Sequence, residues 1–308
     1  MTVGNERRSQ AELIARLSRL GLTFRTVTVQ TEGDYQVEDA DWNFKDVPHL
    51  NHVHGLADNV NGLTDRDAVA SVTLQRVLGV PLPLVLSHYE NAPDCQTHLF
   101  TLFTYVVVTE ITFEALTPTR TRVVTTYAVG SSRFWMRLFP LVRRLLERNY
   151  RTLMSEDLPM RERKGRLRSW GYSFRGDGRR REFTESLDIE RDHVIPPPRG
   201  PVLELQRIDV SSLAEGVPRL VGRSDHLGLR IERAGRELRV FPRMCSHEGA
   251  ELDGVATDRC GLRCPWHGRR VAPIGVIDLD GATPVLEVEN GRLRVDGGVL
   301  LVEPEPAG

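Results

Sequence analysis

Residues 245–271, CSHEGAELDGVATDRCGLRCPWHGRRV, contain two pairs of cysteine and histidine. Cys245 and His247 form the first pair; after sixteen intervening residues come Cys264 and His267. Two mixed pairs on two loops are what a cluster with one all-thiolate iron and one bis-imidazole iron requires. Thiolate suits soft iron, and neutral imidazole on the outer iron raises the potential above that of an all-cysteine cluster. A structural Cys2His2 zinc site is the alternative. Zinc fingers usually group their cysteines together and their histidines together, whereas each half is mixed here. Gly249 and Gly268 come soon after the histidines, where backbone must turn tightly around a cluster. The stretch therefore predicts a [2Fe–2S] cluster on Cys245, His247, Cys264 and His267, and one-electron chemistry.

On either side of these loops, short strands with glycine turns run from Val202 to Val302, the pattern of an all-β domain. Before them, residues 171–200 contain GDGRRRE and IPPPRGP and read as a linker by composition. Further back, Phe134 to about Lys164 reads as one long helix with apolar Leu138, Leu145, Leu146 and Leu153. The runs Ala70–Arg76, Leu82–Tyr89, His98–Val108, Thr109–Leu116 and Arg120–Ala128 are β-branched or aromatic and read as strands. Residues 10–21 form a short amphipathic helix with Leu13, Ile14, Leu17 and Leu20 on one face, followed by a polar, acidic stretch. The expected class is α+β: a helix-grip-like antiparallel sheet closed by a long C-terminal helix, with a cavity between them, then the all-β domain. The expected boundaries are 1–170, 171–200 and 201–308.

Composition narrows the function classes. The 308 residues are 40% hydrophobic and 27% charged, the balance of a soluble globular protein with a real core. A formal net charge of −1 gives no global pull toward nucleic acid or an anionic membrane. No apolar run is long enough to span a bilayer, and the N-terminus lacks the apolar core of a signal peptide. Four cysteines make no disulfide framework in a chain this long, so a cytoplasmic setting is expected.

A second candidate site lies at Asp46-Val-Pro-His49-Leu-Asn-His52-Val-His54. Two histidines and one carboxylate can hold a mononuclear Fe(II) and leave positions open for O2. The plainer alternative is a polar helix start with partly exposed imidazoles. On an ideal helix His49 and His52 share a face, whereas His49 and His54 diverge by about 140°. A carboxylate is offered by Ser155-Glu156-Asp157. Leu146, Leu153 and Asp157 fall on one helical stripe, so Asp157 is expected to point inward, where it needs a partner such as a metal. Glu156 lies about 100° away and is expected to face solvent. Pro159 should kink the helix and free the Ser155 carbonyl. The alternative is a helix-surface Glu-Asp pair.

The C-x-H and C-P-W-H-G loops resemble the Rieske fold over roughly residues 202–304. Ala250 and Trp266 stand where the respiratory branch of that family has extra cysteines, so the chain is similar to the soluble ferredoxin and oxygenase branch. Cys95 and Cys260 are expected to be ordinary small buried residues. The pattern D-x2-H-x4-H, read as Asp46, His49 and His54, resembles the iron-binding segment of Rieske non-haem iron oxygenases, and Glu156-Asp157 resembles that family's carboxylate element. The resemblance implies Fe(II) on His49, His54 and Asp157, with His52 lining the pocket or supporting the ligands. It also implies that Asp46 bridges a cluster histidine of one subunit to an iron histidine of its neighbour, in a head-to-tail trimer. The family's domain order is reversed here.

The resemblance implies an oxygenase that oxidises a small organic substrate with O2. Its electrons would come from a separate NAD(P)H-dependent reductase or ferredoxin, because no G-x-G-x-x-G fingerprint is present in this chain. The competing reading is a Rieske electron carrier fused to a ligand-binding domain without a second iron. Convergence of His49, His54 and Asp157 on one point separates the two. Arg143, Arg144, Arg148 and Arg179 to Arg181 read as a solvated face, or as a surface attracting an acidic partner.

Overall fold

A computed structural model of the chain describes residues 8–55, 57–77, 80–92, 94–197, 203–222, 228–281, 285–288 and 291–304. They fall into two units, Met1–Gly165 with Gly176–Ile189, and Arg166–Arg175 with Glu190–Gly308.

In the first unit, α1 (Gln10–Arg19) is started by Ser9, whose side chain and Glu12 form a reciprocal capping box. Gln10 is buried because its amide donates to the Val108 and Thr126 carbonyls of the sheet, at 2.9 and 2.8 Å. The next stretch is β1 (Thr23–Gly33), where Thr/Val alternation makes a strand that the polar composition conceals. After α2 (Val37–Lys45) come β2 (Ala57–Asp65), β3 (Ala68–Val77), β4 (Val80–Ala92), β5 (Cys95–Leu102), β6 (Tyr105–Thr117) and β7 (Arg120–Ser131). All pair antiparallel in the order β1-β7-β6-β5-β4-β3-β2. The expected break between Val108 and Thr109 does not exist. The chain turns instead at Phe103, which is exposed and has φ 52°, a left-handed conformation rare for an aromatic residue.

The long helix is α3 (Phe139–Ser169), preceded by a 3-10 turn at Trp135–Leu138. It continues through Pro159 as one helix. Val142 and Leu146 pack with Val27, Val107 and Val129 of the sheet, which makes this unit a helix-grip fold. At Gly165 an added Cβ would lie 2.0 Å from the Asp34 carbonyl oxygen, so only glycine lets α3 approach the loop after β1 this closely. Residues 176–189 return to this unit rather than linking two domains. Phe183 is fully buried with Val47 and Val69, and Arg180 pairs with Glu90 at 2.6 Å. Arg143, Arg144 and Arg148 are exposed.

The second unit is β-rich. Strands Gln206–Asp209, Val299–Pro304, Gly291–Asp296 and Val285–Val288 form one sheet; Arg219–Val221, Leu229–Ala234, Glu237–Pro242 and Gly275–Asp278 form another. Their shared core includes Val221, Ile231, Leu238, Val240, Leu293 and Leu300. A small three-stranded sheet, Thr257–Asp258, Gly261–Arg263 and Arg270–Val271, carries the second cysteine-histidine loop between its last two strands. Among the described residues no helix is long and apolar enough to cross a membrane.

Candidate functional site

His49 and His54 reach one point by different local routes. Pro48 favours the start of the 3-10 helix Val47–Asn51, which carries His49. That helix stops at Asn51, so the ideal-helix pairing of His49 with His52 fails. His52 is exposed and does not line the cavity, contrary to expectation. Beyond the turn, His54 brings its Nε2 to 3.0 Å from His49 Nε2. Asp157 Oδ1 lies 3.4 Å from His49 Nε2 and 3.2 Å from His54 Nε2. All three side chains are buried.

The surroundings fix how each ring is turned. His49 Nδ1 donates to the Asp46 backbone carbonyl, which can only accept. His54 Nδ1 donates to Glu156 Oε2 at 2.7 Å. Glu156 is therefore half-buried against a histidine and does not simply face solvent, because its long side chain spans the angle that separates its Cβ from the inner stripe. With both Nδ1 atoms protonated, the two rings in their neutral form would present Nε2 lone pairs toward the Asp157 carboxylate and any metal beside it. Three donor atoms this close need a cation among them: a proton on a ring nitrogen serves where no metal is bound, and a metal ion would take its place. The two-nitrogen, one-oxygen set fits Fe(II).

Burial alone would raise the Asp157 carboxyl, but hydrogen bonds from His49 and His54 and the charge of Arg161 hold it well below the usual carboxylate range. Asn43 Nδ2 donates to Asp157 Oδ1 at 3.3 Å, and Arg161 Nη2 lies 3.6 Å from Oδ2. Arg161 is itself fully buried, stacked over the Phe44 ring at 4.7 Å and donating to Asn43 Oδ1 at 2.7 Å. His54 is pushed above its ordinary value: burial works against its charge, and Asp157 and Glu156 outweigh burial. Asp46 is 1% exposed, with Oδ2 3.8 Å from His49 Nδ1.

The triad opens on a cavity of about 220 Å³ between sheet and helix. Val142, Leu146, Tyr150, Leu153 and Asp157 line it along one stripe of α3, as the helical period requires. Leu84, Leu86, Phe100 and Ile111 face them from the sheet.

In the second unit the four cluster candidates also converge. His247 Nδ1 and His267 Nδ1 face each other at 3.1 Å, the Cys245 and Cys264 thiols share a hydrogen bond, and all four residues are at most 2% exposed. The two loops close in the same way. Gly249 N donates to Cys245 O at 2.9 Å and Cys245 N to Ala250 O at 2.9 Å. Gly268 N donates to Cys264 O at 2.8 Å and Cys264 N to Arg269 O at 2.8 Å. Gly249 and Gly268 have φ of 88° and 64°, which is why both loops need glycine there. Asp192 Oδ1 clamps the pair, accepting from Ser246 Oγ at 2.5 Å and Arg269 Nη1 at 2.7 Å. Glu248 lies behind His247, with Oε1 4.0 Å from its Nε2 and 3.6 Å from His193 Nδ1. Two thiols side by side and two facing Nδ1 atoms fit a [2Fe–2S] cluster. Neither remaining cysteine is a small buried residue: Cys260 is exposed and Cys95 half-buried.

Sequence reasoning does not reveal Asn43, Glu156, Arg161, or the stacked His88 and His98 of the cavity wall. The only available signal is alternation, which puts His88 on the face of Leu84 and Leu86, and His98 on that of Phe100 and Leu102.

Residues 206–283 match the family described as Rieske [2Fe–2S] domain. No curated protein is a significant match. Among solved structures the chain is similar to an aromatase/cyclase from Streptomyces sp. R1128, at 14% identity over 46% of this chain and 96% of that one, with a TM-score of 0.42. It is also similar to a START superfamily protein from Mycobacterium smegmatis, at 11% identity over 42% and 92%, TM-score 0.35. Dicamba monooxygenase bound to 3,6-dichlorosalicylic acid is similar at 14% identity over 48% of this chain and 51% of that one, TM-score 0.36.

Proposed function

We propose that this chain, whose residues 206–283 form a Rieske [2Fe–2S] domain, is a Rieske-type non-haem iron oxygenase acting on a small organic molecule held in the helix-grip cavity. Cys245, His247, Cys264 and His267 would hold the cluster; His49, His54 and Asp157 would hold Fe(II). Bound there, the cluster supplies single electrons and the iron supplies O2 activation. The observation that carries the proposal is the convergence of two Nε2 lone pairs and one carboxylate oxygen within 3.4 Å, each ring held in place by an acceptor on its other nitrogen.

The chain's own residues divide the remaining work. The Asp46 carbonyl and Glu156 fix the two tautomers. Asn43 and Arg161 hold the carboxylate ionised and oriented. Apolar side chains of α3 and the sheet exclude water and seat the substrate. Asp46, beside His49, is assigned the passage of electrons from a neighbouring copy's cluster in a head-to-tail trimer. A separate NAD(P)H-dependent reductase or ferredoxin in the cytoplasm would feed that cluster.

Metal and sulfide analysis of anaerobically purified protein tests the proposal. About three irons and two sulfides per chain are expected, falling to about two irons in His49→Ala/His54→Ala with the cluster's absorbance intact. Two irons in both proteins, with no uptake of added Fe(II), would instead make the chain an electron carrier with a ligand-binding domain. A subtler change is expected from Glu156→Ala. Freed from its acceptor, the His54 ring reorients, and Fe(II) affinity in anaerobic titration should fall about 10–100-fold. Unchanged affinity would remove Glu156 from the site.

A further inference from the structure

The apolar cavity wall carries one polar line. Through the strand registers, His88 of β4 lies opposite His98 of β5, His98 opposite Thr109 of β6, and Thr109 opposite Tyr127 of β7. All four line the cavity. The His88 and His98 rings stack with centroids 3.8 Å apart and planes 7° from parallel. Neither nitrogen of His88 has a hydrogen-bond partner, nor does the Thr109 hydroxyl, and His88 is only 9% exposed. Leaving such groups unpaired in an apolar wall is costly, so a wall built this way is built for a polar atom of a ligand.

A chain of hydrogen bonds behind the stack fixes its polarity. Lys45 is fully buried and pairs with Asp41 at 2.6 Å. Asp41 Oδ1 accepts from Gln96 Nε2 at 2.8 Å, which turns the Gln96 carbonyl toward His98 Nε2 at 3.2 Å. His98 Nε2 therefore carries its proton, and its Nδ1 is left as an acceptor. Burial holds His88 down to about 4, and burial, followed by the mutual repulsion that two protonated rings this close would feel, keeps His98 well below its ordinary value. Both rings are thus neutral, each with one donor and one acceptor nitrogen. No lysine or arginine lines the cavity, while Asp46 and Asp157 do.

We propose that the His88–His98–Thr109 line is the recognition element of the cavity, selecting a largely apolar molecule that carries one neutral hydroxyl or carbonyl group, and rejecting carboxylates. The assignment rests on the cavity being a ligand pocket, as the oxygenase reading also holds, and not on the second iron. A neutral hydroxyl can donate to one imidazole lone pair and accept from the other group's proton. A carboxylate against this line, away from the metal triad, would meet neutral rings with no lysine or arginine lining the cavity to offset its charge.

Cluster-loaded protein titrated calorimetrically at neutral pH with 2-naphthol, 2-methylnaphthalene and 2-naphthoate tests this. The naphthol is expected to bind about tenfold or more tighter than its methyl isostere, and the carboxylate more weakly than either. His88→Phe should erase the preference while retaining affinity for 2-methylnaphthalene. His88→Gln, which keeps a donor and an acceptor, should preserve it. Equal binding of naphthol and methylnaphthalene by the wild-type protein overturns the proposal, as does tightest binding of the carboxylate or binding of none of the three. None of these needs a variant to fold. A preference that survives His88→Phe overturns it too. A wild-type protein with only two irons that still shows the preference would refute the oxygenase reading and leave this line of recognition standing.

Discussion

Asp157→Ala is expected to strip the mononuclear iron and abolish O2-dependent product formation, while the cluster's visible absorbance and reducibility remain. Asp157 is the one anionic member of the triad, and its Oδ1 faces both Nε2 atoms. Without it, two neutral imidazoles remain, a set too weak to retain Fe(II) through purification. The same change exposes a second role. Arg161 is fully buried, and Asp157 is the carboxylate beside its guanidinium. Removing the anion leaves that charge with Asn43 and the Phe44 and Tyr35 rings and no carboxylate partner among the described residues, which should cost about 3 kcal/mol of stability. Asp157→Ala/Arg161→Met separates the effects: stability should recover and iron should not. Metal analysis, product formation with an added reductase, and chemical denaturation of the three proteins read all of this. Wild-type iron content in Asp157→Ala would sink the assignment of the carboxylate.

The cluster loops are legible in the sequence because iron dictates residue type. A cluster needs two thiolates and two imidazoles, and Gly249 and Gly268 are needed where the backbone turns through positive φ. The triad is less legible. Periodicity places Asp157 on the inner stripe, but ideal-helix geometry favours His52 over His54, and only the structure shows the 3-10 helix stopping at Asn51, before either. Glu156 escapes the periodicity because a helical angle locates a Cβ, whereas a glutamate carboxylate lies several bonds further out. His88 and His98 become a pair only through the β4–β5 register, a tertiary fact that neither strand encodes alone. Composition misleads at residues 176–189, where arginine and glycine imitate a linker. Phe183 buries itself there and the Arg181 carbonyl accepts from Lys45 at 2.7 Å. Phe103 hides a turn, because an aromatic residue in a β-branched run gives no warning of positive φ.

Cys264→Ser is expected to yield protein with essentially no acid-labile sulfide, no cluster absorbance and no turnover with a physiological-type reductase, yet with Fe(II) still bound at His49, His54 and Asp157. The two thiols are a unit. The hydrogen bond with Cys264 lowers Cys245, and the same contact together with burial pushes Cys264 far up, so Cys245 ionises before Cys264. Iron must displace that second proton, after which both thiolates are held by loops already shaped for them. Serine fits the space but offers a hard, weakly acidic hydroxyl in place of a thiolate. Cys260→Ser is the informative companion. It lies four residues earlier, is exposed, and its backbone N–H is taken by Asp258 at 2.7 Å, so its loss should leave sulfide, absorbance and turnover at wild-type levels. If Cys260→Ser lost the cluster and Cys264→Ser kept it, the ligand assignment would have to move. If both kept it, the four residues brought together here would not be its ligands. Retained Fe(II) in Cys264→Ser would show that the helix-grip unit builds its metal site without help from the cluster, and that turnover needs the two centres together.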